Sequence, residues 1–163
     1  MTLFESNVLL GILDAQLTNK VKFKKIITNL FRWFTMRKNT KFGVLYIVAT
    51  PIGNLEDISN RAESILSNVS LCAAENTRNS KKLINKYNIS TKLISYHKFS
   101  EESKLGFFIS QLKLGNDIAL ISDAGTPLIS DPGYLLVNKA IKEGVKVIPI
   151  PGPSSLIALF TSK

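Results

Sequence analysis

Asp117-Ile-Ala-Leu-Ile-Ser-Asp-Ala-Gly-Thr-Pro-Leu-Ile-Ser-Asp-Pro-Gly133 passes from one kind of chain to another. Asp117–Ile121 is an apolar run too short for a helix, which predicts a strand. Asp123–Gly133 is a loop: its prolines fix the backbone and its glycines let it turn where side chains cannot. Over 134–143 the period changes to that of a helix, with Leu136, Val137, Ala140 and Ile141 inward, and Gly144 stops it. Strand, rigid loop and helix in this order make half of a parallel crossover unit.

The same grammar runs outward in both directions. Upstream, Leu45-Tyr-Ile-Val-Ala-Thr50 is β-rich, and a helix opening near Asp57 or Ser59 places Ala62, Ile65, Leu66 and Val69 on one face. Ser70–Ala74 predicts a second strand. Asn79 or Ser80 caps a helix using Leu83, Ile84 and Tyr87, and Lys92–Tyr96 is a third strand. Ser100 opens a helix whose Leu105, Phe108, Ile109 and Leu112 repeat at i, i+3, i+4 and i+7, and Gly115 ends it. Downstream, Val145–Ile150 is a fifth strand, and Ser154 starts a last helix that runs to Lys163. Pro149 cannot donate to a ladder, so the fifth strand belongs near an edge or carries a bulge. The expectation is an α/β domain over 43–163, with a mostly parallel five-stranded sheet flanked by helices.

Residues 1–42 differ. They hold eight basic residues against Glu5 and Asp14, and Ile26, Ile27, Leu30, Phe31 and Phe34 recur at helical spacing among Lys24, Lys25, Arg32 and Arg37. This reads as a basic amphipathic extension: an arm for RNA or a membrane surface, a helix packed on a neighbour, or a stretch outside the native protein, with Met36 as a candidate start. The whole chain of 163 residues carries a formal charge of +9, but residues 43–163 hold thirteen basic and ten acidic residues and are only mildly basic. A polyanionic partner is compatible with that balance. The single cysteine, Cys72, excludes an internal disulfide and a multi-cysteine metal site, and no spacing of His, Cys and carboxylates suggests a metal. No apolar run is long enough to cross a bilayer.

Five of the six prolines fall in three loops, Thr50-Pro-Ile-Gly-Asn54, Asp123–Gly133 and Pro151-Gly-Pro-Ser-Ser155. These follow the first, fourth and fifth strands, so in a parallel sheet they share the carboxyl edge where ligands bind. Gly lets a ligand approach the backbone, Pro fixes the loop beforehand, Ser154 can cap a helix or leave its amides for a carboxylate, and Asp123 can accept from ribose hydroxyls. Glu75, Arg78 and the lone His97 follow the second and third strands. There is no Gly-x-Gly-x-x-Gly after the first strand, no P-loop and no Gly-x-Ser-x-Gly elbow, which disfavours dinucleotide binding, P-loop chemistry and serine hydrolysis. The residues alone reach a parallel α/β domain with a preformed small-ligand edge.

Leu45–Leu55, Ala73-Ala-Glu-Asn-Thr-Arg78, Ser122–Gly133 and Pro151–Ser155 together resemble the cytidine-2′-O-methyltransferases of small-subunit ribosomal RNA, in the tetrapyrrole-methylase superfamily. The resemblance covers about residues 44–160. It implies transfer of a methyl group from S-adenosylmethionine to a ribose 2′-hydroxyl, with no metal, in a cytoplasmic enzyme that is a homodimer at full length and whose partner is small-subunit ribosomal RNA or the small subunit itself. It implies cofactor contacts at Pro51, Ile52, Gly53, Asn54 and Leu55, at Asp123, Ala124, Gly125, Thr126 and Pro127, and at Pro151, Gly152, Pro153 and Ser154. Glu75 and Asp131 are candidate bases, with a loop anchor and an Asx-turn or cap as their structural alternatives. Arg78 and His97 are candidates for RNA contact. The family continues into a second α/β domain that forms the other wall of the cofactor cleft, so this chain reads as the N-terminal half. Two departures stand out: Asn76 where the family has Asp, and Phe99-Ser100 where it has a His-Asn pair. The competing expectations are an inactive or split-gene fragment and a small-molecule methylase of the tetrapyrrole type. The Thr-Pro-Ile-Gly-Asn turn, in place of a Gly-rich one, argues against the last.

Overall fold

The computed structural model describes residues 42–128 and 132–162. The N-terminal extension (apart from Phe42), Met36 and Asp131 lie outside the described residues.

Strands β1 (Val44–Val48), β2 (Leu71–Ala74), β3 (Lys92–Ser95), β4 (Ile118–Ile121) and β5 (Lys146–Ile150) form one sheet in the order β3-β2-β4-β1-β5, with every pairing parallel. Helices α1 (Asn60–Asn68), α2 (Thr77–Lys86), α3 (Glu101–Lys113), α4 (Tyr134–Lys142) and α5 (Ser155–Thr161) alternate with them, and a 3-10 turn at Leu55–Asp57 precedes α1. β4 is buried along its whole length, as expected of the central strand of a parallel sheet. Pro149 lies on the edge strand β5, opposite Ile47, where its missing N–H costs no ladder bond on the outer side.

Side chains alternate across the sheet into two cores. Val48, Ala119 and Ile121 pack with Ala62 and Leu66 of α1 and Leu83 and Ile84 of α2. Leu45, Ile47, Ile118 and Leu120 pack with Phe108 and Leu112 of α3 and Leu136 and Ala140 of α4. Each fully buried Leu, Ile or Phe contributes about 1.5–3 kcal/mol. The division follows from chain direction. β1→β2→β3 travels toward one edge, while β3→β4 and β4→β5 travel back, and a right-handed crossover puts its helix on the opposite face once the direction reverses.

Several local expectations shift. α2 is capped by Asn76, whose side chain accepts from the Arg78 N–H, so the helix starts earlier than Asn79 or Ser80. Ser80 is instead buried and its hydroxyl donates back to the Asn76 carbonyl. Ile141 was expected inside and is 58% exposed: the buried stripe of α4 is Leu136 and Ala140, and Ile141 lies one position round the helix. Ser100 sits at the start of α3 without capping it, because its hydroxyl closes the His97–Ser100 turn.

Tyr96 directly follows β3, its N–H donating to the Ala74 carbonyl of β2 at 2.7 Å, and its ring packs in the second core, edge-to-face with Phe108 at 5.2 Å. Its ring is fully buried and, among the described residues, its hydroxyl has no hydrogen-bond partner. Burial, with a smaller effect from the Glu101 charge, pushes its ionisation up, so it stays a neutral phenol. Tyr96→Phe keeps the ring contact and removes the unpartnered hydroxyl; chemical denaturation is expected to show a protein at least as stable, by up to about 1 kcal/mol. A clear loss of stability would mean that the hydroxyl has a partner. Burial also pushes the Cys72 thiol up to about 12. Thiol reagents at mildly alkaline pH are therefore expected to label it only after unfolding.

Candidate functional site

β4 feeds α4 on one face of the sheet, while both of its neighbours, β1 and β2, feed helices on the other. The chain therefore parts on each side of the β4 carboxyl end, which is where an open α/β sheet leaves a crevice. On the β1 side the two loops are stitched together. Thr50 N–H donates to the Gly125 carbonyl at 2.9 Å and Gly125 N–H donates to the Thr50 carbonyl at 3.0 Å. The buried Thr50 hydroxyl donates to the Ser122 carbonyl at 3.1 Å.

Two glycines make this junction sterically possible. Gly125 has φ +76°, a left-handed conformation that disfavours a side chain, and it brings the β4 loop against Ile52 and the Pro153 carbonyl. A Cβ on Gly152 would stand 3.0 Å from Ala49 Cβ and 3.3 Å from its carbonyl oxygen, so any side chain there would push the β5 loop and β1 apart by a few tenths of an ångström. The loops expected to converge do so: Pro51–Leu55, Asp123–Pro127 and Pro151–Ser154 follow neighbouring strands.

On the β2 side, Asp123 is held by α2. Asn79 Nδ2 donates to Asp123 Oδ2 at 2.8 Å, and the Asp123 N–H donates to Glu75 Oε2 at 3.2 Å. Glu75 thus anchors the β4 loop by one oxygen rather than pairing with Arg78. The Asn76 departure leaves the helix cap intact, since Asn caps as well as Asp. Arg78 and Asp123 are exposed, Arg78 in the first turn of α2. His97 follows the edge strand β3, beside β2, and the five-strand width of the sheet, roughly 19 Å, separates it from the Pro151 loop.

A groove of about 500 Å³ opens between the β1 and β5 loops. Ile52, Gly152, Pro153 and Ser154 line it, as do Asp57, Ile157, Ala158 and Thr161, which sequence reasoning missed. Ile157, Ala158 and Thr161 share one face of α5 by their i, i+1, i+4 spacing, and Asp57 closes the 3-10 turn that follows Asn54. The spacing was a usable signal; the approach of α5 to the turn was not. Ser154 stands at the start of α5 without a side-chain capping bond. Among the described residues no group of three His, Cys, Asp or Glu is arranged to hold a metal, and no helix is long and apolar enough to cross a membrane.

A family model described as Tetrapyrrole (Corrin/Porphyrin) Methylases matches residues 44–162. The chain is 52% identical over 120 residues to "Ribosomal RNA small subunit methyltransferase I" of Pseudomonas aeruginosa, covering 74% of this chain and 43% of that protein. It is 55% identical over 121 residues to the protein of the same name from Halalkalibacterium halodurans, covering 74% and 42%. The chain thus spans less than half the length of these curated relatives. Among solved structures it is similar to uroporphyrin-III-C-methyltransferase from Thermus thermophilus (TM-score 0.57, 16% identity, 74% of this chain and 51% of that one). It is also similar to a diphthine synthase (TM-score 0.59, 16% identity, 72% and 47%). At that identity the likeness is one of fold.

The stitch between the loops can be tested apart from any ligand. Thr50→Val removes the hydroxyl bond and leaves the Ser122 carbonyl buried without it, so a loss of about 1 kcal/mol is expected in denaturant melts. Faster amide exchange at Gly125 should accompany it, and unchanged exchange there would show that the hydroxyl does not hold the junction.

Proposed function

The chain belongs to the tetrapyrrole (corrin/porphyrin) methylase family, and on that premise we propose that it is the cofactor-binding half of an S-adenosylmethionine-dependent methyltransferase acting on the 2′-hydroxyl of a cytidine in small-subunit ribosomal RNA. The observation that carries the choice of substrate is the 52–55% identity to proteins named as ribosomal RNA methyltransferases, against 16% to the uroporphyrin enzyme. The other wall of the cleft, the homodimer and the cytoplasmic location belong to the full-length enzyme under this reading.

The residues present fit the cofactor. The groove has the volume of a small-ligand site and mixed walls, with Ile52, Pro153 and Ile157 against apolar surface and Asp57, Ser154 and exposed backbone as polar partners. Gly125 and Gly152 keep the backbone bare where a side chain would fill the junction. When bound, S-adenosylmethionine supplies an activated methyl group. The chain's own residues then have three tasks. The loops after β1 and β5 grip the nucleoside end. Asp123, aimed by Asn79 and Glu75, accepts from hydroxyl or amino groups. The stitched loops hold the site in one geometry, so little ordering is lost on binding and alignment supplies much of the rate. Glu75 reaches its neighbour with one carboxylate oxygen, leaving the other to accept the 2′-hydroxyl proton, and Asp131 is the second candidate for that step.

Mass mapping of small-subunit ribosomal RNA from cells lacking the gene is expected to show the loss of one 2′-O-methylcytidine, restored by the wild-type gene. Asp123→Ala should weaken binding of S-adenosylmethionine by about tenfold or more in calorimetry, as for loss of a charge-assisted hydrogen bond. An unchanged methylation map would refute the RNA assignment.

A further inference from the structure

Charge in the domain is concentrated in one stretch. Residues 76–100 hold six Lys or Arg and no Asp or Glu, whereas the rest of 43–163 holds seven basic and ten acidic residues. The domain's whole positive excess therefore lies on α2, β3 and the loop that follows. On α2, Arg78, Lys81, Lys82 and Lys86 are spaced i, i+3, i+4 and i+8 on the exposed face, opposite the buried Ser80, Leu83 and Ile84. Among the described residues only Lys86 of these has a carboxylate partner, Glu56. Lys92 and Lys98 extend the charge along the edge strand and past its end.

An aromatic group stands at the end of this track. Phe99 is 95% exposed, which is rare for a phenylalanine, and its ring meets the exposed His97 ring edge-on at 6.3 Å. The turn presenting it is held from below. The Ser100 N–H donates to the His97 carbonyl at 2.7 Å, the buried Ser100 hydroxyl lies 3.1 Å from both the N–H and the carbonyl of His97, and Lys104 donates to the Ser95 carbonyl at 2.6 Å. The phenyl face is thus offered to solvent at the carboxyl edge of β3, on the edge where the cofactor loops lie. An exposed aromatic face beside cations that have no carboxylate partner among the described residues is what unstacked bases of a single-stranded nucleic acid bind.

We propose that the α2–β3 edge is the RNA-docking surface of the protein, with the basic face of α2 following the phosphate backbone and Phe99 stacking on an unpaired base. The surface rests on the reading of the chain as an RNA methyltransferase and adds to it the place where substrate is gripped.

The test is fluorescence binding of the full 163-residue chain, without cofactor, to a single-stranded ribo-oligonucleotide of about twelve nucleotides carrying 2-aminopurine. Residues 1–42 are present in every variant and cancel in the comparison. Phe99→Ala is expected to weaken binding about tenfold and to abolish the stacking quench, while Phe99→Trp restores both. Lys81→Glu with Lys82→Glu should weaken binding and flatten the salt dependence, by roughly 0.7 in log–log slope for each phosphate no longer neutralised. The control pair Lys142→Glu with Lys146→Glu, on α4 and β5, should bind nearly as wild type. Wild-type affinity and quench in Phe99→Ala would overturn the proposal. So would equal weakening in the control pair. Surface-dependent RNA binding together with an unchanged ribosomal methylation map would sink the enzymatic reading and leave the surface standing.

Discussion

The reciprocal hydrogen bonds between Thr50 and Gly125 are the constraint on which the rest of the site depends. Parallel strands need no contact between their loops, and chains leaving β1 and β4 for opposite faces would ordinarily part at this point. Two backbone bonds and a buried hydroxyl bond close the junction instead. Gly125 supplies the left-handed residue that turns the β4 loop toward β1, and Gly152 lets the β5 loop close against Ala49 from the other side. Two of the loops are joined by hydrogen bonds and the third packs against them.

The core below explains why the wall can be rigid. β4 is apolar on both faces and sits between β2 and β1, so its end is fixed by packing from both layers. The amino ends are tied as well: Val44 N–H donates to Asp117 Oδ1 at 2.7 Å. Under the proposed function, the loops assigned to the methyl donor occupy the β4-β1-β5 side of the sheet, and the basic and aromatic features occupy the β3 edge. A long polymeric substrate could touch both, where a small molecule would touch one.

The sequence was most informative where a local rule sufficed. The five strands, the helices and the three Pro- and Gly-rich loops could be located from period and turn chemistry, and the position of Pro149 pointed correctly to an edge strand. The strand order could not, because pairing is decided by long-range contacts; only the continuous apolar run of β4 hinted at its central place. The start of α2 was misplaced because several polar residues there suit a cap: Asn79 and Ser80 were expected, and the bond from the Arg78 N–H to the Asn76 side chain decides for Asn76. Ile141 was misjudged because a wide apolar stripe does not reveal its own centre. Of the site, the loop residues were legible and Asp57, Ile157, Ala158 and Thr161 were not, since they meet the groove only through the docking of α5. Glu75 was legible as a polar residue at a strand end, but its bond to the Asp123 N–H required coordinates.

The proposed function requires the loops after β1, β4 and β5 to act together as one wall of a methyl-donor site. Hydrogen–deuterium exchange of the chain, with and without millimolar S-adenosylmethionine, tests it most directly. Protection is expected together at the amides of 50–55, 123–126 and 152–155 (Pro excepted), with the α2–β3 edge unchanged. Binding that leaves those three segments unprotected, or protects only one of them, would contradict the account.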